Sequence, residues 1–232
     1  MSKLKDIVKA YNLLVKGIEQ KANEEENRAY GGVIRAGKGL LVENITKHLL
    51  EIAWDELGGK KERISFNKTT KKLPILKEYV ENIEDKEVKK HILNNIEDYY
   101  YTLKADVHCN IDDELVLAVE CKAYTENAMI KRILVDFTLM KHGWENLNCF
   151  LLQLESQLGG DYSDLDKKTI YGSSSTHTLF SYFDVKIDII TLLEGERNVN
   201  KAIHNPKYYK ELKEEHLKKA IDKFKKVLKN YL

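Results

Sequence analysis

Two periods of apolar and polar residues divide this chain into helices and strands. Segments in which apolar residues recur every three or four positions predict amphipathic helices, at 3–22, 37–57, 126–142 and 207–231. Apolar or strictly alternating runs predict strands, at 62–67, 103–109, 114–122, 147–154 and 185–193. Two more helices are expected between 73 and 101. This order of elements predicts a single mixed α/β domain over residues 1–232.

Three stretches lack these periods. The glycine-rich residues 23–39 are expected to interrupt the helical pattern, and the basic residues 68–72 are expected to form a loop. Residues 156–184 are rich in Gly, Ser and Thr and have little to bury. An ordinary surface loop has this composition, and so does a segment that reads DNA bases.

Residues 105–122 carry charged side chains within two apolar strands. Because successive strand residues point to opposite faces, the second strand divides into two sets. One face carries Leu115, Leu117, Val119 and Cys121, and the other carries Val116, Ala118, Glu120 and Lys122. On the first strand, Ala105, Val107 and Cys109 are assigned to the core, with Asp106 and His108 on the other side. The short link at 110–113 predicts a hairpin, so Asp106, Glu120 and Lys122 are expected to converge.

The three converging groups suggest hydrolysis of a phosphodiester. Asp106 and Glu120 repel each other unless a cation lies between them, and carboxylate oxygens with room for water suit Mg²⁺. Lys122 beside such an ion can orient or deprotonate a water, or stabilise developing negative charge. This combination serves attack of a metal-activated water on phosphorus. The carboxylates at 112–114 lie at the hairpin tip, which favours a role in the turn.

The pattern A-Asp106-V, thirteen residues, then V-Glu120-C-Lys122 resembles the motif of the PD-(D/E)xK nucleases. Ala105 stands where that motif has proline. The elements over 37–154 are also similar to the core of that superfamily, a restriction-endonuclease-like mixed β-sheet flanked by helices. With added N-terminal, inserted and C-terminal helices, the chain resembles a type II restriction endonuclease.

The resemblance implies a Mg²⁺-dependent, sequence-specific endonuclease that cuts double-stranded DNA and leaves 5′-phosphate and 3′-hydroxyl ends. It implies Asp106 and Glu120 as metal ligands, the Cys121 carbonyl as a further ligand, and Lys122 as the group acting on water. Palindromic sites call for two-fold symmetry, so a homodimer is expected.

Two other side chains near the motif have two interpretations each. Glu43 matches the glutamate that such nucleases often place on the helix before the core, and an exposed ion pair with Lys47 is the alternative. His108 shares the face of Asp106, where it either supports the site or faces DNA, or is a hydrogen-bonded structural residue.

Candidate DNA contacts lie mostly outside the core, in 1–36 and 155–232, which are also expected to form the dimer. Basic residues predicted to contact phosphates are Arg28, Arg35, Lys38, Lys131 and Arg132. Hydroxyl and imidazole side chains predicted to read bases are Ser174, Thr176 and His177. Each set has an ordinary alternative, as the start of a helix, a solvated helix face or a surface loop.

Composition limits the partners. The formal net charge is +1, so a DNA-binding protein of this composition must gather its basic residues on one face. The glycine-rich stretch lacks GxxxxGK[ST] spacing, which argues against a nucleotide cofactor. Cys109, Cys121 and Cys149 have no CxxC spacing and are expected to be buried free thiols in a reducing cytoplasm. No export signal or membrane span is expected.

Two rival functions share this core. One is a structure-specific repair or recombination nuclease, and the other is a DNA-binding module without catalysis. The polar residues 156–184 and the added helices favour a sequence reader, and the intact Asp, Glu and Lys argue against a non-catalytic module. Cleavage of plasmid into discrete bands distinguishes the sequence reader from a nuclease specific for branched junctions.

Overall fold

The computed structural model describes residues 3–22, 29–160, 172–201, 203 and 205–232, with the backbone alone for 3, 16–22, 29–36 and 206. The helices are α1 (Lys3–Ala22), α2 (Ala29–Glu56), α3 (Lys77–Glu81), α4 (Lys86–Asn94), α5 (Asn127–Gly143), α6 (Ser174–Ser181) and α7 (Glu214–Leu228). The strands are β1 (Ile64–Ser65), β2 (Lys71–Pro74), β3 (Tyr100–Leu103), β4 (Val107–Ile111), β5 (Glu114–Glu126), β6 (Asn148–Gln157) and β7 (Ile187–Thr191).

A mixed five-stranded sheet organises these elements in the order β1-β4-β5-β6-β7. β1, β4 and β5 pair antiparallel, whereas β5, β6 and β7 pair parallel. Parallel neighbours need a crossover, and α5 supplies it between β5 and β6 while α6 lies between β6 and β7. The predicted α/β class with a mixed sheet flanked by helices is therefore confirmed.

Helices cover both faces of the sheet. On one face α2 and α7 pack against the strands, and α1 packs against both helices. On the other face α5 buries Ile130, Ile133, Leu134 and Phe137 against a second cluster of apolar side chains. Burial on both faces explains why the central strand β6 is a continuous apolar run in the sequence.

Residues 29–39 of the glycine-rich stretch are helical, contrary to the prediction for 23–39, and residues 23–28 lie outside the described residues. Helix α2 begins at Ala29 and continues to Glu56 without interruption. Each glycine inside a helix costs about 1 kcal/mol relative to alanine. Burial of Leu41, Val42 and Ile45 further along the same helix outweighs that cost.

Residues 68–72 were wrongly predicted to be only a loop. Strand β2 begins at Lys71 and pairs antiparallel with β3, which forms a separate two-stranded sheet packed on α5. The two helices predicted between 73 and 101 are α3 and α4, which lie between these strands. Strand 62–67 is reduced to β1, and the last helix, predicted over 207–231, is α7. The strand predicted over 103–109 is divided between the end of β3 and β4, and α6 forms within residues 156–184, where no element was predicted.

The hairpin of β4 and β5 has the predicted pairing and an unpredicted bulge. Its turn residues Asp112 and Asp113 have φ angles of 51° and 66°, as a tight two-residue turn requires. Cys109 pairs with Leu117 but Asn110 pairs with Leu115, so Val116 is an extra residue.

The bulge reverses two of the predicted faces. Leu115 packs with the α5 cluster and Val116 with the α2 cluster, whereas Leu117, Val119 and Cys121 keep their predicted common face. Ala105, which precedes β4, also packs on the α5 side rather than with Val107 and Cys109.

No helix among the described residues combines the length and apolar character needed to cross a bilayer.

Candidate active site

Asp106 is held where β4 begins. Its Oδ2 accepts a hydrogen bond from the backbone N–H of Cys121 at 2.8 Å and from Lys122 Nζ at 2.7 Å. The last residue pair between β4 and β5 is Val107 with Val119. Strand β5 continues beyond that pair, which brings the backbone of Cys121 to the carboxylate of Asp106.

Glu120 and Lys122 lie two residues apart on the same face of β5, as alternation predicts. Lys122 Nζ lies 2.6 Å from Glu120 Oε2 and 2.7 Å from Asp106 Oδ2. One ammonium therefore contacts both carboxylates, and the predicted convergence of Asp106, Glu120 and Lys122 is present in the structure.

The charges of these three groups depend on one another. Glu120 is 9% exposed, and burial, reinforced by the charge of Asp106, raises the pKa of its carboxyl to about 7. Lys122 opposes that shift. Burial also disfavours the charged form of Lys122, yet Glu120 and Asp106 outweigh it and raise the pKa of the ammonium. A carboxylate that ionises reluctantly beside a second carboxylate is one that an added cation stabilises.

The donor set fits a hard divalent cation. Asp106 and Glu120 offer carboxylate oxygens directed at one point, which Mg²⁺ prefers. The N–H and C=O of a strand residue point to the same neighbouring strand. Because the Cys121 N–H points to Asp106, its carbonyl is directed to that side of the strand as well.

Glu43 approaches β5 from the opposite side of the sheet. Glu43 is half-buried on α2. Burial is the main cause that raises the pKa of the Cys121 thiol, and the charges of Asp106 and then Glu43 add to that effect. Within the described part of the chain, no ion pair joins Glu43 to Lys47. The structure therefore gives no support to the exposed-pair interpretation.

A cleft of about 360 Å³ opens on the α5 side of Asp106, Glu120 and Lys122. It is lined by Lys68, Tyr101, Lys104, Ala105, Asp106, Glu120, Lys122, Met129, Arg132, Ile133 and Asp136. Arg132 was predicted to contact DNA, and its side chain is 86% exposed beside Asp136. Lys68, Tyr101 and Lys104 were not predicted. The basic composition of residues 68–72 could have indicated Lys68, whereas the sequence has no comparable feature that indicates Tyr101 or Lys104.

Two of the predicted DNA contacts are buried. Lys38 is 9% exposed, and burial lowers the pKa of its ammonium although Glu155 opposes the shift. Thr176 is fully buried, with its hydroxyl 2.7 Å from both Leu158 O and Asn127 Oδ1. Burial of these two side chains contradicts their prediction as contacts to phosphate and base.

The other predicted contacts are more accessible or lie outside the description. Ser174 and His177 are exposed on α6, and Lys131 is exposed on α5 but does not line the cleft. Arg35 lies on α2 where the backbone alone is described, and Arg28 is outside the described residues.

Neighbouring side chains have structural roles. His108 is buried, and its two ring nitrogens lie 3.1 Å from Thr69 N and 2.9 Å from Ala105 N. A neutral imidazole accepts one such bond at a time. The three cysteines are free and buried, as predicted. Asp112 at the hairpin tip pairs with Arg63 at 2.7 Å, which confirms its role in the turn.

A second set of possible ligand atoms lies away from the cleft. Among the described residues, Glu194, Glu215 and His216 have donor atoms within 4.8 Å of one another. Glu194 already pairs with Lys213 at 2.8 Å, and both glutamates are exposed. These residues do not line the cleft of Asp106 and Glu120, and we assign them no role in catalysis.

Comparison with known proteins gives one strong similarity. No family model matches the chain. The type II restriction enzyme DdeI of Desulfomicrobium norvegicum is 51% identical over 223 residues, which cover 94% of this chain and 92% of that enzyme. Among solved structures, the native BbvCI A2B2 tetramer at low resolution matches with a TM-score of 0.40 and 14% identity, over 98% of this chain and 87% of that chain.

Proposed function

Since this chain belongs to the type II restriction enzymes, we propose that it cuts double-stranded DNA at a specific sequence with Mg²⁺ held by Asp106, Glu120 and the Cys121 carbonyl. The observation that carries the proposal is the convergence of both carboxylates on Lys122 Nζ, within 2.7 Å. Lys122 is the cation between these carboxylates in the structure, and phosphodiester hydrolysis needs a further cation at phosphorus, for which the carboxylates are suitable ligands.

The chain's own residues have distinct parts in hydrolysis. Bound Mg²⁺ supplies Lewis-acid chemistry, since it polarises the phosphate and makes water more acidic. Lys122 orients the attacking water by hydrogen bonding and stabilises negative charge that develops on the phosphate oxygens. The Cys121 N–H keeps the Asp106 carboxylate in one orientation. Attack on phosphorus breaks the bond to the 3′ oxygen and leaves 5′-phosphate and 3′-hydroxyl ends.

Glu43 is proposed to act from the helix before the core, through a second metal or a water near Asp106. Its charge influences Cys121, the residue between Glu120 and Lys122, which supports a position within electrostatic reach of the site.

The duplex is proposed to lie along the cleft and the carboxyl ends of the parallel strands. Lys68, Lys104 and Arg132 bring positive charge to the cleft despite the net charge of +1. Arg28, Arg35 and Lys131 remain proposed phosphate contacts, and Ser174 and His177 remain proposed base contacts. In this arrangement residues 37–154 carry the chemistry, and residues 1–36 and 155–232 carry recognition.

We also propose that the enzyme acts as a homodimer through its inserted helices, which replaces the expectation from the sequence that residues 1–36 and 155–232 form the dimer. Seven of the thirteen large hydrophobic side chains exposed in the described part of the chain lie between 76 and 101. They are Leu76, Tyr79, Val88, Leu93, Ile96, Tyr100 and Tyr101. Such a concentration is typical of an interaction surface. Tyr101 also lines the catalytic cleft, so a second copy bound here would place two cleavage sites beside one duplex.

The dimer is tested by sedimentation over a range of protein concentrations. The double variant Tyr79→Glu, Val88→Glu is expected to be monomeric where the unaltered protein is dimeric, because two charges cannot be buried unpaired. Leu13→Glu on α1, where the leucine is 66% exposed, is the control and should remain dimeric. A double variant that still dimerises would place the interface elsewhere, and an unaltered protein that is monomeric on DNA would exclude the dimer.

The catalytic proposal is tested by plasmid cleavage in Mg²⁺. The unaltered enzyme should give discrete bands, whereas Asp106→Asn and Glu120→Gln should give none while still binding DNA in Ca²⁺. Asp113→Asn removes a carboxylate from the far end of the same hairpin and should cut normally. Cleavage by either site variant at the unaltered rate would remove that residue from the metal site.

The buried free thiols suit a reducing environment, and we propose a cytoplasmic location.

A further inference from the structure

Arg197 is fixed at the carboxyl end of the parallel strands by its backbone. Its N–H donates to Ser156 O at 2.7 Å, and the preceding Glu196 forms a parallel bridge with Ser156. Glu196 Oε1 also accepts from Gly159 N at 3.1 Å. These contacts hold the segment after β7 against the end of β6, so the position of the Arg197 side chain is well defined.

The guanidinium of Arg197 is held on two further sides. It lies 3.6 Å from the ring centroid of Tyr124, and its Nη1 donates to Gln157 Oε1. Among the described residues, its Nε and Nη2 have no hydrogen-bond partner and it forms no ion pair. The side chain is half-exposed, which leaves one donor edge of a rigid fork accessible.

This fork lies close to the catalytic group. Tyr124 is two residues beyond Lys122 on β5, and the pairing with β6 keeps the same offset there, with Lys122 opposite Gln153 and Tyr124 opposite Glu155. Two strand residues span roughly 7 Å. That distance corresponds to about two base-pair steps of 3.4 Å. If the duplex axis follows β5 with its scissile phosphate at Lys122, bases about two steps away lie at the level of Arg197.

The neighbouring charges leave Arg197 available for a ligand. The adjacent carboxylate, Glu155, is buried and already pairs with Lys210 at 3.0 Å. Lys38 adds further positive charge beside Arg197. A purely structural arginine at the end of a sheet would be expected to pair with a carboxylate, whereas Arg197 stacks on a ring and keeps its Nε–Nη2 edge open.

We propose that Arg197 reads a guanine within about two base pairs of the scissile phosphate. Its Nε and Nη2 donate to the O6 and N7 acceptors on the major-groove edge, the commonest specific contact in protein–DNA complexes. The ring of Tyr124 packs against one face of the guanidinium, and the hydrogen bond to Gln157 fixes the orientation of the guanidinium plane. This inference rests on the proposed sequence-specific cleavage and adds the residue that provides part of the specificity.

The test begins with the recognition site, obtained by sequencing the ends of plasmid cut by the unaltered enzyme. Duplexes are then made in which 7-deazaguanine, which lacks the N7 acceptor, replaces one guanine at a time. Binding is measured in Ca²⁺ to prevent cutting. One such replacement should weaken binding by the unaltered enzyme roughly 10- to 100-fold. Arg197→Ala should bind the normal duplex more weakly by a similar factor and show no further loss with that modified duplex.

Two additional variants separate recognition from structure. Arg197→Lys keeps the positive charge but cannot form the fork, so its sensitivity to 7-deazaguanine should be smaller than that of the unaltered enzyme while its dependence on salt is unchanged. Arg63→Ala is the matched control, because Arg63 also lies near an aromatic ring, Trp54, at 5.6 Å but pairs with Asp112 at the opposite end of β5. It should retain full sensitivity to the modified base.

Three results would overturn the proposal. The first is a recognition site that contains no guanine. The second is that the affinity lost by Arg197→Ala and the affinity lost with each modified guanine add independently. The third is that Arg197→Ala weakens binding to specific and random duplexes equally and makes the salt slope shallower. The last would make Arg197 a phosphate contact. Melting temperatures of both Arg197 variants within a few degrees of the unaltered enzyme exclude misfolding. Failure of the unaltered enzyme to cut plasmid would count against the proposed function, independently of Arg197.

Discussion

Among single residues, the two motif carboxylates differ although both contact the same ammonium. Asp106 accepts one hydrogen bond from the backbone N–H of Cys121 and one from Lys122. Glu120 is more deeply buried and accepts only Lys122 among the described residues, so burial raises the pKa of its carboxyl to about 7. If Glu120 is a metal ligand, as proposed, its ionisation controls the binding of a metal near neutral pH.

Metal affinity should fall as the pH drops through about 7. A protonated Glu120 must lose its proton before it binds a cation, and its pKa of about 7 places that competition between pH 8 and pH 6. We expect about tenfold weaker Ca²⁺ or Mg²⁺ binding at pH 6 than at pH 8 by calorimetry, with a proton released. Glu120→Gln should bind metal weakly and without this dependence. Equal affinity at pH 6 and 8 in the unaltered enzyme would contradict the prediction.

The raised pKa of Glu120 has the opposite effect on the stability of the folded protein, which falls with rising pH where metal affinity increases. Without metal, the unfolded chain ionises Glu120 near its ordinary pKa of 4.5 while the folded protein keeps the proton up to about 7. The folded state binds more protons in that window, so this residue lowers the free energy of unfolding as the pH rises from 4.5 to 7.

Lys122 and Glu43 should affect the rate of cleavage to different degrees. Lys122→Ala should lower the single-turnover rate by several orders of magnitude, since the ammonium acts on water or on developing charge. Glu43→Ala should cost less and should raise the Mg²⁺ concentration needed for half-maximal rate. Lys47→Ala is the control for a simple surface pair and should cut normally. An unchanged rate and Mg²⁺ dependence in Glu43→Ala would exclude Glu43 from the site.

Among the elements, α6 is held in place by one buried hydroxyl. Thr176 lies within hydrogen-bond distance of Leu158 O, after β6, and of Asn127 Oδ1, at the start of α5. Ser173 caps the same helix by accepting from Thr176 N at 3.2 Å. Thr176 therefore positions Ser174 and His177, the proposed base contacts, and does not contact DNA itself.

Thr176→Val should destabilise the protein without a direct effect on recognition. The substitution keeps the shape but removes the single hydroxyl proton that either Leu158 O or Asn127 Oδ1 accepts, and a buried acceptor without its donor costs roughly 1–3 kcal/mol. Urea denaturation measures this loss. Ser174→Ala, an exposed change in the same helix, should alter the free energy of unfolding by less than about 0.5 kcal/mol. If Thr176→Val unfolds at the same urea concentration as the unaltered protein, the hydroxyl does not hold α6.

In the whole molecule, a net charge of +1 is compatible with DNA binding because the charges are segregated. Lys68, Lys104 and Arg132 gather at the cleft from three separate parts of the chain. The lysines of α7 lie on the opposite side of the sheet, where Lys225 pairs with Glu56 at 2.9 Å. Only the first group is suitably placed for phosphates at the catalytic site.

Removal of the cleft charges should weaken binding and its dependence on salt together. For each phosphate that is no longer neutralised, the slope of log affinity against log salt should flatten by about 0.9. We expect this for Lys68→Gln and Lys104→Gln on specific and random duplexes alike, measured in Ca²⁺. Lys218→Gln, an exposed change on α7, should leave the slope unchanged. The same measurement on Lys131→Gln decides whether that exposed residue contacts phosphate. Unchanged slopes for both cleft variants would place the duplex elsewhere.

The sequence by itself determined the catalytic motif, its strands and the α/β class. Alternation places Glu120 and Lys122 on one face whatever surrounds them, because the period of a strand is a local property of the backbone. Helical period likewise predicted α5 and most of α1, α2 and α7. These features depend on residues a few positions apart, so a single sequence is sufficient to reveal them.

Tertiary structure alone decided the features that join distant segments. The bulge at Val116 follows from pairing with β4, and α2 extends through its glycines because packing outweighs local propensity. The sequence suggested that Lys38 and Thr176 would face DNA, but both are buried. Lys38 is buried among neighbours more than 100 positions away in the sequence, and Thr176 is buried against the end of β6 and the start of α5. The cleft and the stacking of Arg197 on Tyr124 likewise join separate segments. Periodicity carries no record of such contacts, because they form only when the chain closes on itself.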